Sequence, residues 1–540
     1  MVAFSPKVAL IVLPAFDPCP IFSPIIRGSS ETGLRVPQGL TLALVGGDVD
    51  VEGGTLTADL GRIELGSVGG DAQVSLSPLP QGFTLSYQGV QRGDIRLSQQ
   101  ALVDASGGGS IQVVGKRISL TDGSKILIQN LGVQSGGSIS VNAAESFEVS
   151  GTNPDARLSS GLDSETVGGG SGADIAIFTR QLVIQGGAVI GARSRSPGKA
   201  GNVTVNAADS VQLIGFSPIN PTLSSSLSAP AHSSGDAGDI KVSTGRLTAL
   251  NGGILSSATF GTDLGGNITV DALDSIEVIG QTSLFSPSSL NAVTLNAGDG
   301  GNVTVNTSRL AIRDGGTVSS STLGTGNGGS VTINARETVE LSGRVLGGPN
   351  PTLVSSSAVI TAETLQAAYG LDPVPSGDSG DVTINIDNLR VTGGALVDVR
   401  NEGVGNAGTL RVNASSIFLD NEGRITAATA SGVGGNTFLQ AQNLQLGDKS
   451  AITASAGGTG NGGNITIDTD TLVALENSDI TANAEQSFGG RVSINAQGIF
   501  GTEFRDTPTL ESDITATGGS PELSGTVEIN NPDVDPILFG

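Results

Sequence analysis

GGNITVDALDSIEVIG, residues 265–280, decides the fold, because close copies of it recur along the chain. It reads GGSISVNAAESFEVSG at 136–151, AGNVTVNAADSVQLIG at 200–215 and GGSVTINARETVELSG at 328–343. A repeat of this kind fixes the architecture before any single residue is interpreted. The glycine just ahead of each strand's apolar core serves as an anchor: Gly109, Gly137, Gly172, Gly201, Gly238, Gly266, Gly301, Gly329, Gly380, Gly408, Gly435, Gly463, Gly490 and Gly525. Most steps between anchors are 27–29 residues, and the longer ones are 35, 37 and 51. The unit is therefore about 28 residues, and the long steps carry insertions.

Within a unit, side chains alternate between faces. In NVTVN (202–206), Val203 and Val205 point inward and Thr204 outward. A second strand follows, such as SVQLIG (210–215), and a third has the form of NGGILSSATFG (251–261). Three short strands with glycine corners predict an all-β chain, a right-handed parallel β-helix of about 28 residues per coil. At ~4.8 Å per coil, fourteen anchors would span roughly 65–70 Å. Glycine with positive φ is expected at the corners. The same grammar begins earlier, where TLALVGG, DVDVEGG, TLTADLG and RIELGSVGG (41–70) read as four strands and residues 80–109 continue in style.

In four long units the extra residues follow the second strand, at 152–166, 216–236, 281–299 and 344–379. They are expected to leave one edge of the solenoid, a common place for binding loops. The residue ending the first strand is Asn142, Asn206, Asp271, Asn306, Asn334, Asn385, Asn413, Asp468, Asn495 or Asn530, which predicts a stacked structural Asn/Asp ladder. A row of calcium ligands is the rival. Mostly neutral Asn and the lack of a recurrent GGxGxD nonapeptide argue against it.

The formal charge of −24 disfavours nucleic acid as a partner. One Cys, Cys19, supports neither a disulfide framework nor a thiolate metal site. Residues 1–33 read as a leader of uncertain nature, because VALIVLPAF (8–16) is broken by Pro14 and lacks a small-x-small cleavage site. Residues 34–108 form a first β section, 109–530 the repeat array and 531–540 a Pro-containing exit.

The repeats, the segment VGGDVDVEGGTLTADLGRIELGSVGG (45–70) and the tail GTVEINNPDVDP (525–536) resemble cyanobacterial filamentous-haemagglutinin-type exoproteins, the passengers of two-partner secretion systems. The resemblance implies a secreted or surface-displayed adhesive β-helix, exported through an outer-membrane barrel transporter, with 34–108 as the rear of the secretion domain. It leaves the cell-surface or glycan ligand unnamed. The family's NPNL- and NPNG-type motifs are missing from the front of this sequence. The chain thus reads as an N-terminally shortened copy, and a non-exported remnant is one alternative.

A polysaccharide lyase or hydrolase is the other. Such chemistry needs clustered carboxylates, usually with Arg, Lys or His beside them, on one exposed sheet face. Outward positions here read mainly as Thr, Ser, Asn and Gln, and no Trp is present. The single histidine, His232, reads as a solvated loop residue, and Asp381, Asp387 and Asp398 fall on different strands. No catalytic, cofactor or metal residue is assigned. Arg92-Gly93-Asp94 is a weak adhesion candidate, set against its ordinary Gly-Asp turn chemistry.

Overall fold

The structure, a computed structural model, describes residues 24–25, 33–70, 73–79, 82–345, 347–348 and 350–531. Most of the expected leader, with Cys19, and all but Asn531 of the expected exit lie outside those residues. The described chain is all-β and built on long parallel sheets, the layout of a parallel β-solenoid. It divides into two compact units at Thr307/Ser308.

In the first unit, long strands stack in parallel. Ser138–Ser150, Asp174–Gln185, Val203–Ile214, Ile240–Leu250 and Ile268–Ile279 place Val141, Ile177, Val205, Val242 and Val270 in one column. The two strands read separately from the sequence are continuous here. A register shift, between Ala207 and Ser210 in one case, bends each strand midway. Opposite them runs a second parallel sheet that includes Lys125–Asn130, Gly161–Thr166, Val189–Ser194, Ser226–Ser228 and Ile254–Ser256. Val203, Val205, Val211, Leu213 and Leu227 fill the space between and are fully buried, while Thr204 is half-buried. The inward register is therefore the one that alternation predicts.

The second unit repeats the plan. Asn436–Leu446, Asn464–Ala474 and Arg491–Phe500 stack in one sheet, and Arg424–Thr426, Ala451–Thr453 and Asp479–Thr481 in the other.

The anchor glycines are required for a reason of their own. Gly201, Gly238, Gly266 and Gly301 do not have positive φ. They sit directly against the strand before. A Cβ on Gly238 would lie 1.9 Å from the Gly201 carbonyl oxygen, and one on Gly266 or Gly301 would lie 2.0 Å from the oxygen of the glycine it covers. The second unit has the same column, with 1.9 Å at Gly408 over Gly380 and at Gly490 over Gly463. At Gly172 the column is occupied by its neighbour Ala173, whose oxygen faces Gly201.

The insertions are smaller than the sequence suggests. The segment 152–166 contains the strand Gly161–Thr166, 216–236 contains Ser226–Ser228, 281–299 contains Ser289–Asn291, and 344–379 contains Leu353–Ser355. These Ser-rich runs look like loop sequence, yet their small side chains suit a buried parallel ladder. What leaves the sheet is a short excursion closed by one antiparallel bridge: Thr152 with Ser159, Phe216 with Ser224, Gln281 with Pro287, and Arg344 with Pro351. Each begins after a glycine of positive φ: Gly151 at 72°, Gly215 at 66°, Gly280 at 79° and Gly343 at 74°. The 344–379 segment also carries the helix Glu363–Tyr369, none of whose residues is buried.

Within 82–109 the strands Ile95–Ser98 and Leu102–Asp104 keep the parallel style, and one hairpin departs from it. Ser75–Pro78 pairs antiparallel with Phe83–Ser86. The chain then brings Tyr87 over Gly66, where a Cβ would lie 2.1 Å from the phenol oxygen. Tyr87 packs with Leu85 and Val114 in a small satellite core.

Gly238→Ala should lower stability by about 2 kcal/mol or more, since a Cβ meets main chain that cannot yield. Gly46→Ala, with open space around it and no positive φ, should be nearly neutral. Val205→Asp should cost more than about 3 kcal/mol by burying an unpaired charge. Thermal unfolding of the three variants checks both the column and the inward register.

Candidate functional site

The strands Lys125–Asn130, Gly161–Thr166 and Val189–Ser194 are six residues long, against three in the layers that follow. Ile126, Ile128, Leu162 and Ile190 point into the core. Alternation sends Lys125, Gln129, Asp163, Glu165 and Arg193 to the other face. Parallel register then aligns Gln129 with Glu165 and Arg193, and Leu127 with Asp163 and Gly191.

The result is a charge cluster on one sheet face, where Thr, Ser, Asn and Gln were expected. Lys125 Nζ donates to Asp163 Oδ2, and Arg193 Nη2 donates to Asp163 Oδ1 at 2.7 Å. Gln129 Nε2 donates to Glu165 Oε2 at 2.8 Å, and Arg195 Nε to Glu165 Oε1 at 3.3 Å. Gly191 leaves room for Arg193, whose guanidinium lies 3.2 Å from where a Cβ would stand. Asp163 and Glu165 are fully buried. Ile25 lies on the cluster: its N–H donates to Glu165 Oε2 at 2.9 Å, and its carbonyl accepts from Gln129 Nε2 at 2.7 Å.

Burial alone would raise the Asp163 carboxyl, but Lys125 and Arg193 outweigh it and hold it below the usual carboxylate range. Burial, with Arg193 beside it, pushes the Arg195 guanidinium down. His232 is not the solvated residue expected. It is partly buried, its ring 4.8 Å from that of Phe260, and burial with Arg195 and Arg193 nearby pushes it down to about 3. The imidazole is therefore neutral at pH 7. An acid or base works best with a pKa near the working pH. Asp163 and His232 are both displaced well below it, so the cluster as it stands is a closed ion-pair network.

Arg92-Gly93-Asp94 is likewise committed internally. The Asp94 carboxylate is 6% exposed and takes three hydrogen bonds from Arg117, the shortest 2.6 Å. Arg96 adds a further contact, and hydrogen bonding to Arg117 lowers the Asp94 carboxyl. Arg92 Nη1 donates to Asn142 Oδ1 at 2.8 Å, and a Cβ on Gly93 would strike Ser67 and Asp48. The tripeptide forms a packed corner whose carboxylate is not free to meet a receptor.

The strand-ending Asn/Asp residues stack only in part. In the first unit Phe178 separates Asn142 from Asn206, and Ser243 separates Asn206 from Asp271. Asn306 Nδ2 does reach Asp271 Oδ1 at 2.7 Å. In the second unit Asn385 Nδ2 donates to Asn334 Oδ1 and Asn413 Nδ2 to Asn385 Oδ1, both at 2.8 Å. Gln440 then takes the next place, and Asp468, Asn495 and Asn530 continue at 2.7 and 2.8 Å.

A second column escaped the sequence reading. Asp174, Asn202, Asp239, Asn267 and Asn302 each follow the glycine column by one residue. Asn202 reaches Asp174 Oδ1 through both its main-chain N and Nδ2, at 2.8 and 3.1 Å, and the pattern continues to Asn302. The repeated Gly-Asn or Gly-Asp pair was the available signal. Among the described residues, no three His, Cys, Asp or Glu side chains gather as a metal site, and no helix is long and apolar enough to cross a membrane.

Asp163→Asn should destabilise by about 3–5 kcal/mol, because it strips the partner from buried Lys125 and half-buried Arg193. The parent's folded Asp163 carboxyl lies below its unfolded value of about 4, so its contribution is complete above that pH and fades as pH falls through the lower, folded value. Acid titration of unfolding should therefore show a shallower acid limb in the variant.

Comparison of the chain with protein families, with curated proteins and with solved structures finds no match in any of the three.

Proposed function

We propose that the chain is a structural, adhesive exoprotein, a right-handed parallel β-helix of about 28 residues per coil that presents corner loops for attachment to a cell or surface. The observation that carries this reading is the placement of the excursions. Those at 152–159, 216–224, 281–287 and 344–351 all leave from the equivalent corner, after a glycine of positive φ, while the sheets between them are occupied by ladder hydrogen bonds and buried aliphatic side chains. Variable loops on a stiff, repetitive frame are where binding specificity usually resides. Pairings such as Ile111 with Ile139 and Val242 with Val270 support the 28-residue coil. Export through an outer-membrane barrel rests on the resemblance of residues 45–70 and 525–536 to two-partner secretion passengers.

One observation favours a second reading, a polysaccharide-active enzyme. Asp163 and Glu165 stand among Lys125, Arg193 and Arg195 on one sheet face, the residue types such chemistry uses, and since both carboxylates are buried under Ile25 an active form requires that cover to open. New reducing ends or unsaturated products from a polysaccharide panel, abolished by Glu165→Gln, would establish it.

Protease shaving of intact source cells, followed with an antibody against Pro351–Ser379, tests the first reading. The exposed helix Glu363–Tyr369 lies within that epitope. Loss of the signal from whole cells is the expected result; a protected or absent product would instead favour a non-exported remnant.

A further inference from the structure

The second unit carries an open groove where its long strands bend. Successive layers contribute the tripeptides Asn413-Ala414-Ser415, Gln440-Ala441-Gln442, Asp468-Thr469-Asp470 and Asn495-Ala496-Gln497. The middle residue is small and forms the floor. Thr469 is 8% exposed, and its hydroxyl donates to the carbonyls of Gln442 and Thr471 at 3.1 Å. The outer residues line its two sides. Gln440, Asp468 and Asn495 form one wall and Gln442, Asp470 and Gln497 the other, all six exposed.

Each wall is pre-ordered along the groove. Asn495 Nδ2 donates to Asp468 Oδ1 at 2.7 Å, and Gln497 Nε2 donates to Asp470 Oδ1 at 2.9 Å. An amide or carboxylate used once in this way keeps further lone pairs or N–H groups for a ligand. The walls thus offer donors and acceptors in two facing rows, repeated at the interstrand spacing of ~4.8 Å. The lining includes three aspartates, Asp387, Asp468 and Asp470, and no Lys or Arg. A polyanion would be repelled there. A peptide could not pair with main chain that is already bonded within the sheet.

We propose that this groove binds a neutral, linear polysaccharide laid across successive strands, its hydroxyls bridging the facing amide and carboxylate rows. An extended chain of sugars advances by a comparable step per unit, so one ligand repeats its contacts from layer to layer. Small side chains on the floor let the rings settle between the walls. The proposal rests on the adhesive reading and gives it a ligand class and a place.

Affinity electrophoresis of the full chain tests it, with gels containing xyloglucan, glucomannan, polygalacturonate or alginate. At least one neutral glycan should retard the parent. The double variant Asp470→Ala/Gln497→Ala should bind that glycan at least fivefold more weakly, while Gln88→Ala in the first unit should migrate as the parent does. Asp470 and Gln497 are exposed and bonded to each other, so unchanged far-UV circular dichroism is expected of the double variant. Gln442→Ala supplies a second, single-site probe, and it too should weaken retardation. Retardation by the anionic glycans alone, by none of the four, or equally for parent and groove variants would overturn the proposal. Display on the cell is read separately by protease shaving, so a failed groove and a failed exoprotein reading give different results.

Discussion

Within each unit, the glycines that open successive strands lie almost in contact, the Cα of one against the carbonyl oxygen of the one before. A Cβ at Gly238, Gly266, Gly408 or Gly490 would fall within about 2 Å of that oxygen. No rotamer change relieves such a clash, because both partners are main chain. The column therefore dictates where each layer begins relative to the last. Once that start is set, the alternation of Val203, Thr204 and Val205 places aliphatic groups inside and hydroxyls outside without further instruction.

The layers gain a second restraint just beyond the glycines. Asp174, Asn202, Asp239, Asn267 and Asn302 pass hydrogen bonds along one line, the side-chain oxygen of each accepting from the main-chain N–H of the next. Such columns satisfy corner groups that the ladder leaves open. They also explain how a chain with only 3% aromatic residues is ordered. Its interior relies on many small contacts repeated in register, where an ordinary domain would use a few large side chains. Where the column is interrupted, at Phe178 and Ser243 among the strand-ending residues, the ladder pairing on either side persists. The amide columns reinforce a register that main-chain pairing and core alternation already supply.

The charge cluster obeys different rules. Burying Asp163 and Glu165 is expensive unless cations and hydrogen bonds surround them. Lys125, Arg193, Arg195 and Gln129 do so from two neighbouring strands and the residue just beyond, and Ile25 closes the face through its main chain. The groove of the second unit has the opposite character, with exposed amides and carboxylates held in line and no counter-cation. One sheet scaffold thus supports a sealed polar network in one unit and an open polar groove in the other.

The repeat, the all-β class and the inward register of the valines were legible in the sequence, because each depends on residues close together in the chain. The extent of the insertions was not. LSSSLS around Ser226 reads as loop, yet Ser226–Ser228 proves to be strand, since its place is set by pairing with Val189–Gly191, far behind it in sequence. The cluster was hidden for the same reason: Gln129, Glu165 and Arg193 align, and Lys125 comes within reach of Asp163, only once the excursion at 152–159 is removed from the count. His232 and Asp94 were assigned to loop and turn by their neighbours in sequence, and their burial follows from residues of other layers. By itself, then, the sequence determined the period, the class and the face of each strand residue, all local consequences of alternation and glycine. Only the tertiary structure decided which layers adjoin, and with that which charges meet and which polar rows face each other. Those contacts join residues some 30 positions apart, and the register of whole strands, not any single propensity, brings them together.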